Sequence, residues 1–190
     1  MPPKYRYTKE EIVNAVMEII RENGREAVTA RSVAKRLNSS PKIIFSQFES
    51  MDELWKEVLN NIEALYNSYI ADDMTKGEYP TYKASGMAYI RFASEEKELF
   101  KLLFMRDRTN EVYVDDDSAI RPLLNLISEK SGLTYIEAKL FHIEMWVWVH
   151  GVASMIATGY LKPDINLISS MLSDVYNGTI NHFKEKKTNG

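Results

Sequence analysis

Two histidines and a glutamate interrupt the most apolar part of this 190-residue chain, at His142, Glu144 and His150. Side chains of these types can bind a metal ion or act as a general base. On a helix, however, His142 and Glu144 project from nearly opposite sides, and His142 and His150 lie more than two turns apart. The sequence also has no His-Glu-x-x-His motif, glycine-rich phosphate loop or nucleophile elbow. We therefore expect hydrogen-bonded structural histidines, with no catalytic residue, no metal site and no cofactor.

The charges are distributed unevenly along the chain. Residues 1–50 contain nine Lys or Arg and six Glu, a net charge of +3, whereas the remainder carries −6 and the whole chain −3. A basic N-terminal segment on an acidic body is typical of a modular nucleic-acid-binding protein.

Composition excludes several kinds of site and a membrane-spanning segment. Cysteine is absent, which excludes a disulfide framework and thiolate metal sites, and the 45% apolar content is enough for a sizeable core. Residues 1–6 lack the apolar segment of a signal peptide. The apolar stretch from Met145 to Val149 is far shorter than the ~20 residues that a bilayer-spanning helix needs. We expect a cytoplasmic protein with no membrane partner.

Helical periodicity extends through most of the sequence, and no segment shows sustained period-two alternation. The predicted fold is therefore all-α, with about nine helices. A capping box of Thr8 and Glu11 begins the first helix, which ends at Asn23-Gly24. Thr29 begins a second helix, and a polar turn at residues 38–40 precedes a short third helix that starts at Pro41.

The remaining helices are longer. The fourth is predicted over residues 51–71 and is followed by a loop at 72–80. Further helices are expected at 81–94, 95–106, 118–130, 134–158 and 164–184, with a polar loop at 106–117. The helix at 134–158 is apolar on nearly all sides, so we expect it to be covered all round.

The second and third helices have the dimensions of a helix-turn-helix, and their residues resemble the signature of the TetR family of bacterial regulators. The family's Ala-x-x-Leu-Gly-Val-Ser block reads Ala34-Lys35-Arg36-Leu37-Asn38-Ser39-Ser40 here. An aromatic pair, Phe45 and Phe48, follows, and then Ser50-Met51-Asp52-Glu53-Leu54. The resemblance is specific over residues 8–55, and Trp148-Val149-His150-Gly151 adds a weaker likeness late in the chain.

The resemblance implies a DNA-binding domain at residues 1–50 and a ligand-binding and dimerisation domain at 51–190. The implied function is that of a repressor, a homodimer through its last two helices, bound to a palindromic operator in double-stranded DNA. A small, largely apolar effector would release it. The predicted DNA contacts are Thr29, Arg31, Ser40, Lys42, Ile43, Ser46 and Gln47, with Lys4 and Arg6 on the N-terminal arm.

Within that set, Thr29 would donate to a phosphate, Arg31 would reach a guanine edge and Ile43 would meet a thymine methyl group. Lys35, Arg36 and Arg25 are expected to be ordinary solvated charges, and Phe45 and Phe48 to belong to the core. The chain departs from the family at Lys42, Phe45, Gln47 and Met51, where Gly, Tyr, His and Lys are usual. Phe45 and Met51 lack the hydroxyl and amine expected to contact phosphate, so backbone contact is weakened or re-routed.

The C-terminal helices are expected to enclose the effector. Met and aromatic residues suit an adaptable apolar cavity, although such stripes are also typical of an ordinary core. The predicted ligand-binding residues are Tyr66, Tyr69, Tyr89, Phe92, Phe104, Met105, Met145, Trp146 and Met155.

Two other functions remain open from the sequence. The first is a TetR-like protein with impaired operator binding that acts through protein partners, which the residues at 45 and 51 would allow. The second, more remote, is an enzyme built on a helical bundle.

Overall fold

The computed structural model describes residues 7–109, 117–162 and 164–188. Over these residues the fold is all-α, as predicted, and contains no strand. Nine α-helices and one 3₁₀ turn at Arg25–Ala27 make up the described chain. The helices are α1 (Lys9–Asn23), α2 (Ala30–Arg36), α3 (Lys42–Phe45), α4 (Met51–Lys76), α5 (Thr81–Glu95), α6 (Lys97–Phe104), α7 (Arg121–Ser131), α8 (Tyr135–Ala157) and α9 (Ile165–Thr188).

Local capping residues set where several helices begin. The Thr8 hydroxyl accepts from the backbone N–H of Glu11 at 3.1 Å, and the Glu11 carboxylate accepts from the N–H of Thr8 at 2.7 Å. The same reciprocal pair occurs at Thr134 and Glu137 before α8. A capping box pairs backbone N–H groups that have no partner within the helix with side chains that lie within four residues. The sequence alone therefore predicts these helix starts correctly.

The N-terminal compact unit comprises residues up to 68 together with 96–106. It contains α1, α2, α3, the first part of α4, and α6. Arg21 on α1 donates two hydrogen bonds to Glu96, the residue before α6, at 2.8 and 2.9 Å. The core of this unit is formed by buried apolar side chains that include Ile12, Val16, Ile20, Val33, Ile44, Phe48, Leu54, Leu99 and Phe100.

The second compact unit comprises residues 69–95 and 107–190. Within it, α8 packs against α5, α7 and α9. Gly86 allows a close approach, because a Cβ there would lie 3.3 Å from Leu172 on α9 and 3.5 Å from Val149 on α8. The core of this unit includes Phe92, Leu124, Phe141, Met145, Ala153, Leu172 and Phe183.

Several predicted helix boundaries are wrong by a few residues. α4 continues to Lys76 rather than residue 71, because nothing breaks it before Gly77, whose φ is +73°. α7 begins at Arg121 rather than 118, since Pro122 fits the first turn of the helix. α9 extends to Thr188, because the Lys- and Glu-rich tail contains no helix breaker. α6 is limited to Lys97–Phe104.

The predicted division at residue 50 into DNA-binding and ligand-binding domains stays a prediction. α4 is one continuous helix whose first residues belong to the N-terminal unit and whose last residues belong to the second.

Candidate nucleic-acid interface and sensor unit

α2 and α3 are joined by a tight turn at residues 37–41. Asn38 adopts a φ of +46°, a left-handed conformation that asparagine tolerates better than most residues. The N–H of Ser39 returns to the carbonyl of Ala34 at 2.9 Å and closes the end of α2. Buried Val33 and Ala34 hold α2 in the core of the N-terminal unit, so the turn presents α3 at the surface.

α3 has a buried side and an open side. Ile44 and Phe48 are almost fully buried, whereas the Phe45 side chain is 54% exposed. The prediction that Phe45 belongs to the core is therefore wrong, although that for Phe48 is correct. On the single turn of α3, Phe45 is turned about 100° away from Ile44, and Phe48 lies three residues beyond the end of the helix.

The predicted DNA contacts within the described residues differ in exposure. Thr29, Arg31, Ser40 and Lys42 are exposed, and Ile43, Ser46 and Gln47 are half-buried. The Thr29 hydroxyl caps α2 by accepting from the N–H of Ser32 at 3.0 Å, and the Ser46 hydroxyl donates to the carbonyl of Ile43 at 2.6 Å. Lys4 and Arg6 lie outside the described residues.

Gln47 has a structural partner that the sequence does not reveal. Its side-chain amide donates to the backbone carbonyl of Tyr7 at 3.0 Å. The Tyr7 hydroxyl in turn donates to the backbone carbonyl of Leu37 at the end of α2. Tyr7 therefore connects the end of α2 with Gln47, two residues after α3, and the sequence signal for this role is an aromatic residue just before the Thr8 cap.

The basic side chains of the N-terminal unit fall into two groups. Arg36 pairs with Glu18 and Glu22, which raises the pKa of Arg36 and lowers that of Glu22 through their hydrogen bonds. Those with partners include Lys9 with Glu53, Arg21 with Glu96, Arg36 with Glu18 and Glu22, Lys101 with Glu98, and Arg25 over the Trp55 ring. In the part of the chain that the structure describes, exposed Arg31, Lys35 and Lys42 have no ion pair.

Two tyrosine–histidine pairs connect α5 and α8 in the second unit. Tyr82 Oη lies 3.0 Å from His142 Nδ1, and Tyr89 Oη lies 2.8 Å from His150 Nδ1. Burial lowers the pKa of both histidines, so the rings are neutral at pH 7, and a neutral ring nitrogen can accept a hydrogen bond from a tyrosine hydroxyl. Burial also raises the pKa of Tyr82. These are the hydrogen-bonded histidines that helical spacing predicts.

The predicted ligand-binding residues are not brought together as one set. In the N-terminal unit, the Tyr66 and Phe104 rings meet edge to face at 5.1 Å, and burial raises the pKa of Tyr66 to about 12, with the charge of Glu63 adding to the effect. Met105, also assigned to this unit, is exposed.

The other six predicted residues belong to the second unit. Tyr69 and Phe92 meet edge to face at 5.3 Å. Tyr89 and Trp146 both contact His150. The Tyr89 hydroxyl is hydrogen-bonded to the imidazole, and the Trp146 ring stacks on it with the ring centroids 5.0 Å apart. Met145 is buried in the core, whereas Met155 is exposed. His150, which the prediction left out, is the residue that links Tyr89 with Trp146.

A charged cluster holds the last turns of α4 to α5 in the same unit. Arg91 donates to both carboxylate oxygens of Asp73, at 2.9 and 3.0 Å, and its guanidinium lies 4.1 Å from the Tyr69 ring centroid. Lys76 pairs with Asp73 at 2.8 Å, and the Tyr69 hydroxyl donates to Glu95 at 2.8 Å. Burial of Asp73 raises its pKa, but the hydrogen bonds from Arg91 and Lys76 outweigh this and lower it.

One side of α8 is not covered within the single chain, so the coverage of this helix on all sides stays a prediction. Trp146 and Met155 are among its exposed side chains, and a row of exposed apolar residues recurs every three or four positions, at Ile136, Leu140, Ile143 and Val147. We call these four residues the α8 outer face. Gly151 continues the same line, and a Cβ there would meet no atom within 4 Å. Neighbouring α9 exposes Leu167 and Met171.

Among the described residues, no group of three His, Asp or Glu side chains is arranged to hold a metal ion. α8 is long and apolar enough by composition to cross a membrane, but a core helix of a soluble protein meets the same criterion, so this is weak evidence.

Comparison with known families matches most of the chain. Residues 9–58 match the family described as bacterial regulatory proteins, tetR family, and residues 82–174 match the tetracyclin repressor-like C-terminal domain. The curated proteins contain no significant match.

Solved structures share the fold at low identity. A TetR-like transcriptional regulator from Rhodococcus sp. RHA1 has a TM-score of 0.65 at 14% identity, covering 88% of this chain and 92% of that chain. A putative TetR-family transcriptional regulator from Vibrio parahaemolyticus also has a TM-score of 0.65, at 13% identity, with 88% and 96% covered. A second transcriptional regulator from Rhodococcus sp. Rha1 gives 0.58 at 18% identity, with 93% and 95% covered.

Proposed function

Because the chain belongs to the TetR family of bacterial transcriptional regulators, we propose that it is a dimeric repressor of a palindromic operator, released by a small, largely apolar ligand. The observation that carries the DNA-binding part is the open side of the helix-turn-helix, where Arg31 and Lys42 are exposed without an internal ion pair among the described residues. Since Arg25 and Arg36 nearby are held by internal partners, whereas Arg31 and Lys42 are not, these two charges are available to an external anion.

On this proposal α3 enters the major groove. Lys42 and the Thr29 hydroxyl contact phosphates, which fix the register of the protein on the duplex. Arg31 reads a guanine through two parallel hydrogen bonds to O6 and N7. Ser40, Ile43 and Ser46 line the same approach, and Gln47 acts mainly through Tyr7. Lys4 and Arg6 are proposed to add charge from the N-terminal arm.

The α8 outer face supports the dimer. Ile136 is 81% exposed and Val147 58% exposed in the single chain. A row of large apolar side chains along a helix is unfavourable in water and marks an interaction site. A second copy is the proposed occupant, since a two-fold axis through α8 and α9 would cover the same row on both subunits. Gly151, and Gly178 on α9, leave room for a partner helix to approach.

The effector is proposed to bind in the second unit between α5 and α8. The Tyr82–His142 and Tyr89–His150 pairs place polar groups among the buried Phe92, Phe141 and Met145 side chains. A mostly apolar ligand with one or two hydrogen-bonding groups suits such a lining. We propose Tyr89, with Trp146 through His150, as the centre of this site, and Tyr69 as its link to α4.

Other properties of the proposal follow from the family. TetR-like regulators are soluble cytoplasmic proteins, and we propose the same location for this one. We also propose that it performs no catalysis and needs no metal or cofactor, its partners being the operator, the effector and a second copy.

The test is selection from a random pool of duplex DNA by the purified protein, first at low and then at moderate salt. We expect enrichment of a palindrome that survives the salt step, with half-sites about one helical turn, ~34 Å, apart. Retention without a motif that collapses as salt rises would show only non-specific charge contact. That result would favour the alternative, a regulator with impaired operator binding that acts through protein partners, for which Phe45 and Met51 are the supporting residues.

A further inference from the structure

The open side of α3 presents an aromatic ring beside a positive charge. Phe45 is 54% exposed, and Lys42, three residues earlier and on the same side of the helix, is also exposed. Phe45 lies outside the core that its apolar neighbours Ile44 and Phe48 join, since both of these are buried. The ring is therefore available to whatever α3 contacts.

The chemistry of the ring limits what it can recognise. Phenylalanine has no hydroxyl, so it cannot donate a hydrogen bond to a phosphate or to a base edge. The apolar feature that B-DNA exposes in the major groove is the 5-methyl group of thymine. Ile43, predicted from the sequence to meet such a methyl, is half-buried. Phe45 is the larger and more exposed apolar group on α3.

We propose that Phe45 is a specificity-determining residue that packs its ring against the 5-methyl group of one thymine in each operator half-site. This inference rests on the proposed operator binding and identifies one base that the protein reads. Apolar contact contributes no counterion release, so the specificity from Phe45 is independent of salt, unlike the affinity from Lys42.

The experiment uses the palindrome selected by the wild-type dimer. Each thymine of both half-sites is replaced in turn by deoxyuridine, which removes only the methyl group, and affinity is measured at two salt concentrations. We expect one symmetric thymine whose replacement weakens wild-type binding roughly fourfold per methyl, the effect of about one methylene removed from an apolar contact. The same replacement has no effect on Phe45→Ala.

Two further variants isolate the effect. Arg31→Ala, which binds less tightly, keeps the uracil penalty because its ring is intact. Phe45→Tyr retains the ring and keeps the penalty too, which covers the case in which Phe45→Ala folds poorly in a thermal melt.

An equal uracil penalty in wild type and Phe45→Ala, or no sensitive thymine at all, would overturn the inference and leave operator binding intact. A Phe45→Tyr variant that only steepens the salt dependence, with no sensitive thymine, would place the ring at the backbone and also overturn it. A pool that yields no palindrome would overturn the proposed function itself, and this inference with it.

Discussion

At the scale of single residues, ion pairs within the chain determine which basic side chains are available to contact DNA. Arg36 and Glu22 satisfy each other, and Arg21 holds Glu96 with two hydrogen bonds. Arg31 carries the same guanidinium but has no ion pair within the described residues. Sequence alone cannot separate these arginines, because their partners on α1 and before α6 are up to 75 positions away.

Arg31→Ala is expected to weaken operator binding by about 1–3 kcal/mol and to relax specificity at one base pair, because a bidentate contact to guanine is lost. Fluorescence anisotropy with the operator and its single-base variants measures both effects. Lys97→Ala removes one exposed positive charge from α6 of the same unit and serves as the control. If Arg31→Ala binds every operator variant as the wild type does, the assignment of Arg31 is wrong.

Tyr7→Phe is expected to lower the free energy of unfolding by about 1 kcal/mol, because the Leu37 carbonyl loses its hydroxyl donor. Urea denaturation followed by circular dichroism measures the change. Tyr160→Phe, at an 85% exposed tyrosine, removes the same atom and should change stability by less than about 0.5 kcal/mol. Equal effects of the two substitutions would contradict a structural role for the Tyr7 hydroxyl.

At the scale of elements, helix starts are predicted better than helix ends. Each capping box, at Thr8 and at Thr134, spans only four residues, so its pattern can be recognised directly in the sequence. The last turn of α4 before Gly77 is held instead by Asp73, which Arg91 binds from another helix, 18 positions away. The acidic, polar sequence therefore predicts a loop from residue 72, although residues 72–76 are helical.

The candidate site shows the same limit. Periodicity identifies which face of a helix is apolar, so it selects Met145 and Phe92, which are buried, but it does not show whether they line a ligand site or pack in the core. It does not identify which neighbours meet, and it therefore missed His150 as the link between Tyr89 and Trp146. On the single turn of α3 there is too little periodicity to show that Phe45 faces outward.

Asp73→Asn tests whether the charged cluster holds the end of α4. We expect a loss of about 1–2 kcal/mol in the free energy of unfolding at pH 7, because the side chain, 13% exposed, loses the charge that Arg91 and Lys76 bind. Asp72→Asn, at the exposed neighbouring position, is the matched control.

The effect of Asp73→Asn should also depend on pH in a defined direction. The folded-state pKa of Asp73 lies below its ordinary value, so its stabilisation is complete above about pH 4 and is lost as pH falls through the lowered pKa. The difference between wild type and variant should therefore narrow in acid, as measured by urea midpoints from pH 7 to pH 3. A difference that is constant over this range would show that the charge of Asp73 is not responsible.

At the scale of the whole molecule, the α8 outer face determines the oligomeric state on the proposed account. Val147→Asp should weaken the dimer at least about 100-fold, because the new carboxylate would be buried without a partner at the two-fold contact. Sedimentation velocity over a range of concentrations measures this. Asn67→Asp adds the same charge on exposed α4 and should leave the dimer unchanged. A wild-type protein that is monomeric at all concentrations would contradict the interface.

Two recognition helices, fixed by one dimer, are proposed to read both halves of one operator. This arrangement is tested by measuring wild-type affinity for the selected palindrome and for the same sequence with about five base pairs, half a helical turn, inserted at its centre. The insertion keeps every base contact but turns one half-site to the opposite side of the duplex. We predict that the affinity of the dimer for the lengthened operator falls to its affinity for a single half-site. Unchanged affinity would show that the half-sites are bound independently and would contradict this arrangement.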